Sequence, residues 1–272
     1  MKSFLRILLP CLAALGLHAS PAWSADDSAD NERWQSVRKS LFADRAISED
    51  ARGIVELDTP VRAADAAVVP IAIRTQLVQS PSRYIRKIWL VIDRNPSPVG
   101  AVFSFTPDSG RADLETRVRI EEYTHVRAIA ELSNGSLVMD KHFVKASGGC
   151  SAPAGKDLAE AMASMGKMKL RVEGVPVAGQ PVLAQLMVSH PNISGLAIDQ
   201  LTRLAPSPHY VRSINVTYAG RPVMSADIDF TISENPSLRF YFMLTGDGEL
   251  KAQVVDSEER KFESAIPVRT KT

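Results

Sequence analysis

Cysteine is nearly missing from this chain: Cys11 and Cys150 are the only two in 272 residues. Aromatic residues are few as well, at 6%, and glycine (15) is slightly outnumbered by proline (17), a mixture that fits many short strands joined by tight turns. Charge of one sign is also lacking. With 32 Lys and Arg against 31 Asp and Glu the formal charge is +1, which argues against nucleic acid as the main partner. Long apolar runs are absent too, since residues 7–17 fall short of the roughly 20 residues a spanning helix needs and no later stretch approaches that length. The mature chain should therefore be soluble. Finally, no His, Asp or Glu lies close in sequence to Cys150, so a thiol enzyme such as a peroxidase or acyl hydrolase would have to find its base elsewhere in the fold.

What is present begins with an export signal. Residues 1–24 carry Lys2 and Arg6, then the apolar run, then Ala22-Trp23-Ser24 with small residues where a signal peptidase reads; cleavage is expected after Ser24. Cys11, preceded by Leu8-Leu9-Pro10 and so unlike a lipoprotein site, should leave with the signal. Cys150 then remains as an unpaired thiol in a compartment where thiols normally become paired. It sits in Lys145-Ala146-Ser147-Gly148-Gly149-Cys150-Ser151-Ala152-Pro153-Ala154-Gly155, among residues with almost no side chain. This stretch reads either as a plain linker or as a flexible arm on which Gly148 and Gly149 hold the sulfur out in solvent. An exposed thiol there suggests a reactive group or a Cys150-linked dimer, with Lys145 and Lys156 positioned to favour the thiolate.

Before this arm, residues 31–42 have helical spacing through Trp34, Val37 and Leu41 and should lid one end of a sheet. Short alternating segments follow at 54–57, 68–75, 84–93, 102–105, 116–120, 126–132 and 137–144, with Asn134-Gly135 as the signature of a type I′ hairpin turn. In 116–120 the alternation puts Arg117 and Arg119 on one face, with Arg127 near them; the face is either solvated or a basic surface for an anionic partner. His125 and His142 show no metal-ligand spacing, and Met162, Met165 and Met168 read as helix packing; no metal or cofactor is expected. After a helix at 156–165, strands are expected at 169–172, 182–189, 210–218, 223–232, 238–244 and 250–255. A weak internal echo pairs Tyr84-Ile85-Arg86 with Tyr210-Val211-Arg212 and Asn95-Pro96 with Asn235-Pro236. His190, in a loop at the end of a strand, is a candidate contact residue. The expectation is an all-β protein of two antiparallel immunoglobulin-like sandwiches with short helices at the N-terminus and in the linker, divided as 25–147, an arm and linker at 148–166, and 167–272.

Several of these motifs together carry a family resemblance. Val68-Val69-Pro70-Ile71, Ile92-Asp93-Arg94-Asn95-Pro96-Ser97-Pro98, Thr116-Arg117-Val118-Arg119-Ile120 and Gly148-Gly149-Cys150 make the first half resemble SoxY, the sulfur-carrier subunit of the thiosulfate-oxidising system. His190-Pro191 with Gly195, Pro208-His209-Tyr210-Val211 and Ser233-Glu234-Asn235-Pro236 make the second half resemble its partner SoxZ. Their order and fusion look like the SoxYZ-like carriers found beside quinoprotein alcohol dehydrogenases. The resemblance implies a periplasmic, non-enzymatic protein whose Cys150 carries a covalently bound sulfur intermediate to redox enzymes, of sulfur oxidation or the quinoprotein dehydrogenase, with Arg117, Arg119 and His190 as candidate partner contacts. An adaptor or assembly factor with a dispensable cysteine is the other implied role. Two departures stand out: Ser151-Ala152 replaces the trailing glycines of a SoxY arm, and Asn192-Ile193-Ser194 replaces the usual Met-Glu-Thr.

Overall fold

The computed structural model describes residues 25–153, 158–198 and 202–270. The expected export signal with Cys11 lies outside them, as do Lys156 and the start expected for the linker helix. Helix α1 (Ala25–Phe42) leads into β1 (Ile47–Ser48), β2 (Val55–Asp58), β3 (Val69–Thr75), β4 (Ile85–Ile92), β5 (Val99–Phe105), β6 (Leu114–Val118), β7 (Thr124–Leu132) and β8 (Leu137–Val144). Helix α2 (Leu158–Ser164) follows the cysteine. The second half is β9 (Met168–Glu173), β10 (Pro181–Val188), β11 (Val211–Tyr218), β12 (Arg221–Ile228), β13 (Ser237–Met243), β14 (Gly248–Asp256) and β15 (Lys261–Val268).

Period-two patterning explains these strands. Val182, Ala184, Leu186 and Val188 of β10 point into the core, and Leu238, Phe240 and Phe242 of β13 meet them from the neighbouring strand. Each phenylalanine so buried contributes about 1.5–3 kcal/mol relative to an exposed one. β7 is different, because nearly every residue is buried on both faces. Its outer face lies beneath α1, where Trp34 and Phe42 pack with Val91, Ile129, Leu137 and Met139. The helix thus covers a sheet face and does not lid a sheet end.

The strands form two layers, β1-β8-β7-β4-β5-β12-β11-β14-β15 and β2-β3-β6-β13-β10-β9. Each half supplies strands to both layers, so each is a sandwich of the expected all-β class; pairing is antiparallel except where β1 joins β8 in parallel. The halves are then stitched edge to edge. β5 pairs β12 from Ala101↔Ile228 to Phe105↔Met224, and β6 pairs β13 through Leu114↔Phe240 and Glu115↔Arg239. One apolar core runs from Ala51 to Val268. Swinging the halves apart would break two ladders, and anything lodged at the seam is held from both sides.

Two local expectations are corrected. Gly135, at φ +84°, takes a positive φ and Asn134 does not, so the β7–β8 connection is a turn with a glycine bulge and not type I′. The sequence echo also fails to mark a structural repeat: Tyr84 and Tyr210 precede β4 and β11, but Asn95 follows β4 whereas Asn235 follows β12.

Candidate functional site

The site grows from the segment that leaves β6. Arg119 N–H donates to Thr231 O (2.7 Å) and Ile120 N–H to Ala66 O (2.9 Å), while Gly148 and Gly149 N–H donate to Glu121 O (2.8 Å) and Ile120 O (2.9 Å). The two glycines are therefore part of a pinned backbone and not a flexible hinge. Each is required for its own reason. Gly148 holds φ +81°, and a Cβ on Gly149 would fall 2.0 Å from the carbonyl oxygen of Ala66.

Cys150 follows at 0% exposure, although its neighbour Ser151 is already exposed. The Glu121 carboxylate clamps this peptide, accepting from Cys150 N–H (2.8 Å), Ser151 N–H (3.1 Å) and Ser151 Oγ–H (2.8 Å). From the second half, Ser194 Oγ–H donates to Cys150 O at 2.6 Å. Burial pushes the thiol up to about 12, with Glu121 adding to the shift, Arg119 opposing it and Asp229 adding a little more. In this pose the sulfur is protonated and unreactive at neutral pH. The expected solvent-held arm is thereby corrected, and in this pose the buried sulfur is not presented to a second copy.

The arginines are corrected as well. Arg117 is half-buried and donates through Nη2 to Asn235 O (3.0 Å); Arg119 is buried and donates through Nη1 to Asn192 O and Phe230 O (3.0 Å). They join the two halves and do not stand together on a solvated face: Arg119 is out of solvent, and Arg117 lines the cavity on the outer face of the smaller sheet. Arg127 lies elsewhere, buried against Asp93. Burial lowers the Arg119 guanidinium from its ordinary value, partly offset by Cys150 and Glu234.

His190 is 1% exposed and is no surface contact. With His209 and Asp256 it forms a buried group whose ligand atoms lie within 4.8 Å of one another. Hydrogen bonding decides its chemistry. Asn192 N–H donates to His190 Nδ1 (3.0 Å), which leaves the proton of the neutral ring on Nε2, 3.6 Å from Asp256 Oδ2 and without a hydrogen-bond partner. His209 Nε2 lies 2.8 Å from the same oxygen. A metal needs a lone pair at the His190 Nε2 position, so the arrangement suits two imidazoles sharing a carboxylate better than an ion. Burial and the neighbouring His209 hold His190 down to about 4, hence neutral.

Asn192 links this group to the thiol. It receives Arg119, donates Nδ2–H to Ile232 O (3.0 Å) and accepts Val211 N–H (3.0 Å). Sequence reasoning did not assign roles to Glu121, Asn192, Ser194, His209 or Asp256. His209 stood within a quoted motif, and Glu121 two residues after Arg119 was the available hint of a charge pair at a strand end. His142 is exposed beside Asp140, and His125 meets Phe143 edge to face. The charged groups whose field reaches the sulfur are Arg119, Glu121 and Asp229, with no histidine among them. Met162 is exposed and Met165 Sδ accepts from Arg260 (3.6 Å), so the methionines form no metal box.

A cavity of about 420 Å³ adjoins the cysteine segment, walled by Arg119, Ala152, Pro153, Ile193, Ser194 and Leu204 among others, with Cys150 itself not part of the wall. A larger one, about 490 Å³, lies on the outer face of the smaller sheet. There Arg74 and Arg239 pair with Glu115 at 2.7 and 2.6 Å while Arg117 donates to Asn235 O; the smaller cavity adjoins the Cys150 segment through Ala152, Pro153 and Ser194 and is the better candidate.

A family model described as sulfur oxidation protein SoxY matches residues 38–150, and one described as sulphur oxidation protein SoxZ matches residues 170–267. No curated protein matches the chain. Among solved structures, the sulfur carrier protein SoxY from Chlorobium limicola f thiosulfatophilum is 19% identical over 43% of this chain and 98% of its own, with a TM-score of 0.36. A superoxide reductase (neelaredoxin) from Ignicoccus hospitalis is 18% identical over 43% and 89%, TM-score 0.29. A glycosyl hydrolase family 2 member from Bacteroides cellulosilyticus DSM 14838 is 9% identical over 85% and 30%, TM-score 0.23.

Proposed function

The chain belongs to the SoxY and SoxZ families in tandem, a fused SoxYZ-like protein, and from that premise we propose that it is a periplasmic thiol carrier in which Cys150 holds a sulfur intermediate and presents it to partner redox enzymes. The observation that carries this reading is that the SoxY match ends on Cys150 itself, at a point where the backbone is held by two side chains, Glu121 and Ser194, and not by a strand ladder. Such a clamp can be released without unfolding a sheet. The pose described above is then the closed state, which shields the sulfur from oxidants and from exchange.

Loading requires the peptide to leave the clamp, because a thiol held near 12 supplies almost no thiolate at neutral pH. Joining Sγ to a second sulfur removes the thiol proton and two electrons, which a redox partner must accept. Intact-mass spectrometry of the protein taken from its native periplasm should show adducts on Cys150 that reductant removes. A bare thiol under every growth condition, together with a silent Cys150→Ala variant in cells, would sink the carrier reading.

The complete burial of Cys150 favours a second reading, in which the seam is structural and the chain is a non-catalytic adaptor for a periplasmic quinoprotein alcohol dehydrogenase. Under it, a Cys150→Ala protein should retain the dehydrogenase in a pull-down as strongly as wild type.

A further inference from the structure

The cavity beside the Cys150 segment has an unusual electrostatic inventory. Its wall is mostly proline, alanine and aliphatic side chain, among them Pro153, Pro191, Ile193, Leu204 and Pro206, and among the described residues the charged group in it is Arg119. That guanidinium is only 7% exposed. It donates to two backbone carbonyls, and among the described residues no carboxylate lies within 4.0 Å of it. A cation taken out of water without a counter-charge is costly. The cost is offset in part by Asn192 O, Phe230 O and the fields of Cys150 and Glu234, and a ligand anion in direct contact would add the hydrogen-bonded counter-charge that these do not supply.

The size and the walls say which anion. A volume of about 420 Å³ falls in the range of roughly 300–1,000 Å³ typical of small-molecule sites, and it exceeds what an inorganic oxyanion fills. A bare sulfate or thiosulfate would lose its hydration shell against apolar walls that return few hydrogen bonds. An apolar body with one charged end would match both features. We infer that this cavity is a non-covalent binding site for a small organic anion, a carboxylate or sulfonate whose charged end meets Arg119 and whose hydrocarbon part lies along the proline and aliphatic wall. The site stands whether or not Cys150 forms an adduct.

The test uses the full chain and sodium hexanesulfonate as the probe, with sodium sulfate and hexylammonium chloride as counter-probes, titrated by isothermal calorimetry. Hexanesulfonate should bind at least roughly tenfold more tightly than either counter-probe. Arg119→Gln should weaken it by roughly tenfold or more, the loss of one charge-assisted contact. Because Arg119 also joins the two halves, Ala205→Trp provides the second arm: it places bulk in the cavity from an exposed wall position and should weaken binding to the same degree. Sulfate binding as tightly as hexanesulfonate, equal affinity for hexylammonium, or an Ala205→Trp protein that binds unchanged would each overturn the inference. Adducts on Cys150 are read separately by mass, so failure here leaves the carrier reading where it was, and the reverse also holds.

Discussion

Among the described residues two arginines are buried in this sandwich, and their surroundings are opposite. Arg127 lies beneath α1, where its Nε and Nη2 donate to Asp93 at 2.9 and 2.7 Å and its guanidinium sits 4.4 Å from the centroid of the Trp34 ring. Both partners are essentially out of solvent, at 4% and 0% side-chain exposure. Arg119 is buried almost as deeply, yet it meets only carbonyls and a cavity. The first site is electrostatically closed, and its evident work is to fasten a helix to a sheet. The second has no carboxylate in contact among the described residues, Glu234 acting on it only through its field, at the place where the cysteine and both halves converge. A closed charge pair reads as structure, and an unmatched buried charge reads as a place where something binds.

The sharpest way to break this comparison is to remove the closed partner. Asp93→Ala strands the Arg127 charge in the core and should cost about 3–5 kcal/mol in urea unfolding followed by tryptophan fluorescence. A loss under about 1 kcal/mol would mean that Arg127 escapes to water and that the pair is not structural. Arg119→Met, by contrast, removes donors from two carbonyls without stranding a charge, and about 1–3 kcal/mol is expected. Should Arg119→Met prove as damaging as Asp93→Ala, the two sites would be alike and the ligand argument would lose its footing.

The difference between the two arginines was not legible in the sequence, and the reason is physical. Alternation identified thirteen of the strands to within a few residues, because a half-buried strand must place apolar groups at every second position. It missed β1, of two residues, and β15, an edge strand whose inward Phe262 and Ile266 are separated by the polar Ser264 and whose Pro267 reads as a breaker. It also could not show that β5 would pair β12 across a gap of more than a hundred residues, so two sandwiches were expected to pack where in fact they share both sheets. Alternation says that Arg117 and Arg119 share a face; it does not say whether water or the other half lies against that face. Gly148-Gly149 illustrates the same limit. Absent side chains signal flexibility, but they equally permit the tight packing that Gly149 makes on Ala66. The cysteine itself was legible, and its burial was not.

The clamp sharpens the comparison further, since the open site should have a moving part that the closed one lacks. Glu121→Ala removes three hydrogen bonds from the peptide that carries the sulfur. If local opening governs access to Cys150, losing about 1–2 kcal/mol of closure should speed iodoacetamide labelling roughly 5- to 30-fold while the urea midpoint moves little. Labelling that follows global stability, with no separate acceleration, would show that the segment opens only when the sandwich does.

The smallest expected effect concerns pH, and its sign follows from which state holds the thiol proton longer. In the unfolded chain Cys150 deprotonates around its ordinary value of 9.0, whereas burial keeps the folded thiol protonated up to about 12. Above 9.0 the unfolded state therefore binds fewer protons than the folded one, and stability must fall as pH rises through that window; below it the contribution is complete. Cys150→Ser keeps nearly the same shape and has no proton to lose there. Other groups that titrate in this range, Tyr218 among them, act on both proteins alike. Urea unfolding from about pH 8 to about pH 10.5 should thus show wild type losing stability more steeply than Cys150→Ser, the two curves separating upward from about pH 9. Parallel curves would mean that the folded thiol ionises as freely as the unfolded one. The sulfur would then already be in contact with water or with a compensating cation, and the distinction between a sealed resting state and an opened, reactive one would disappear.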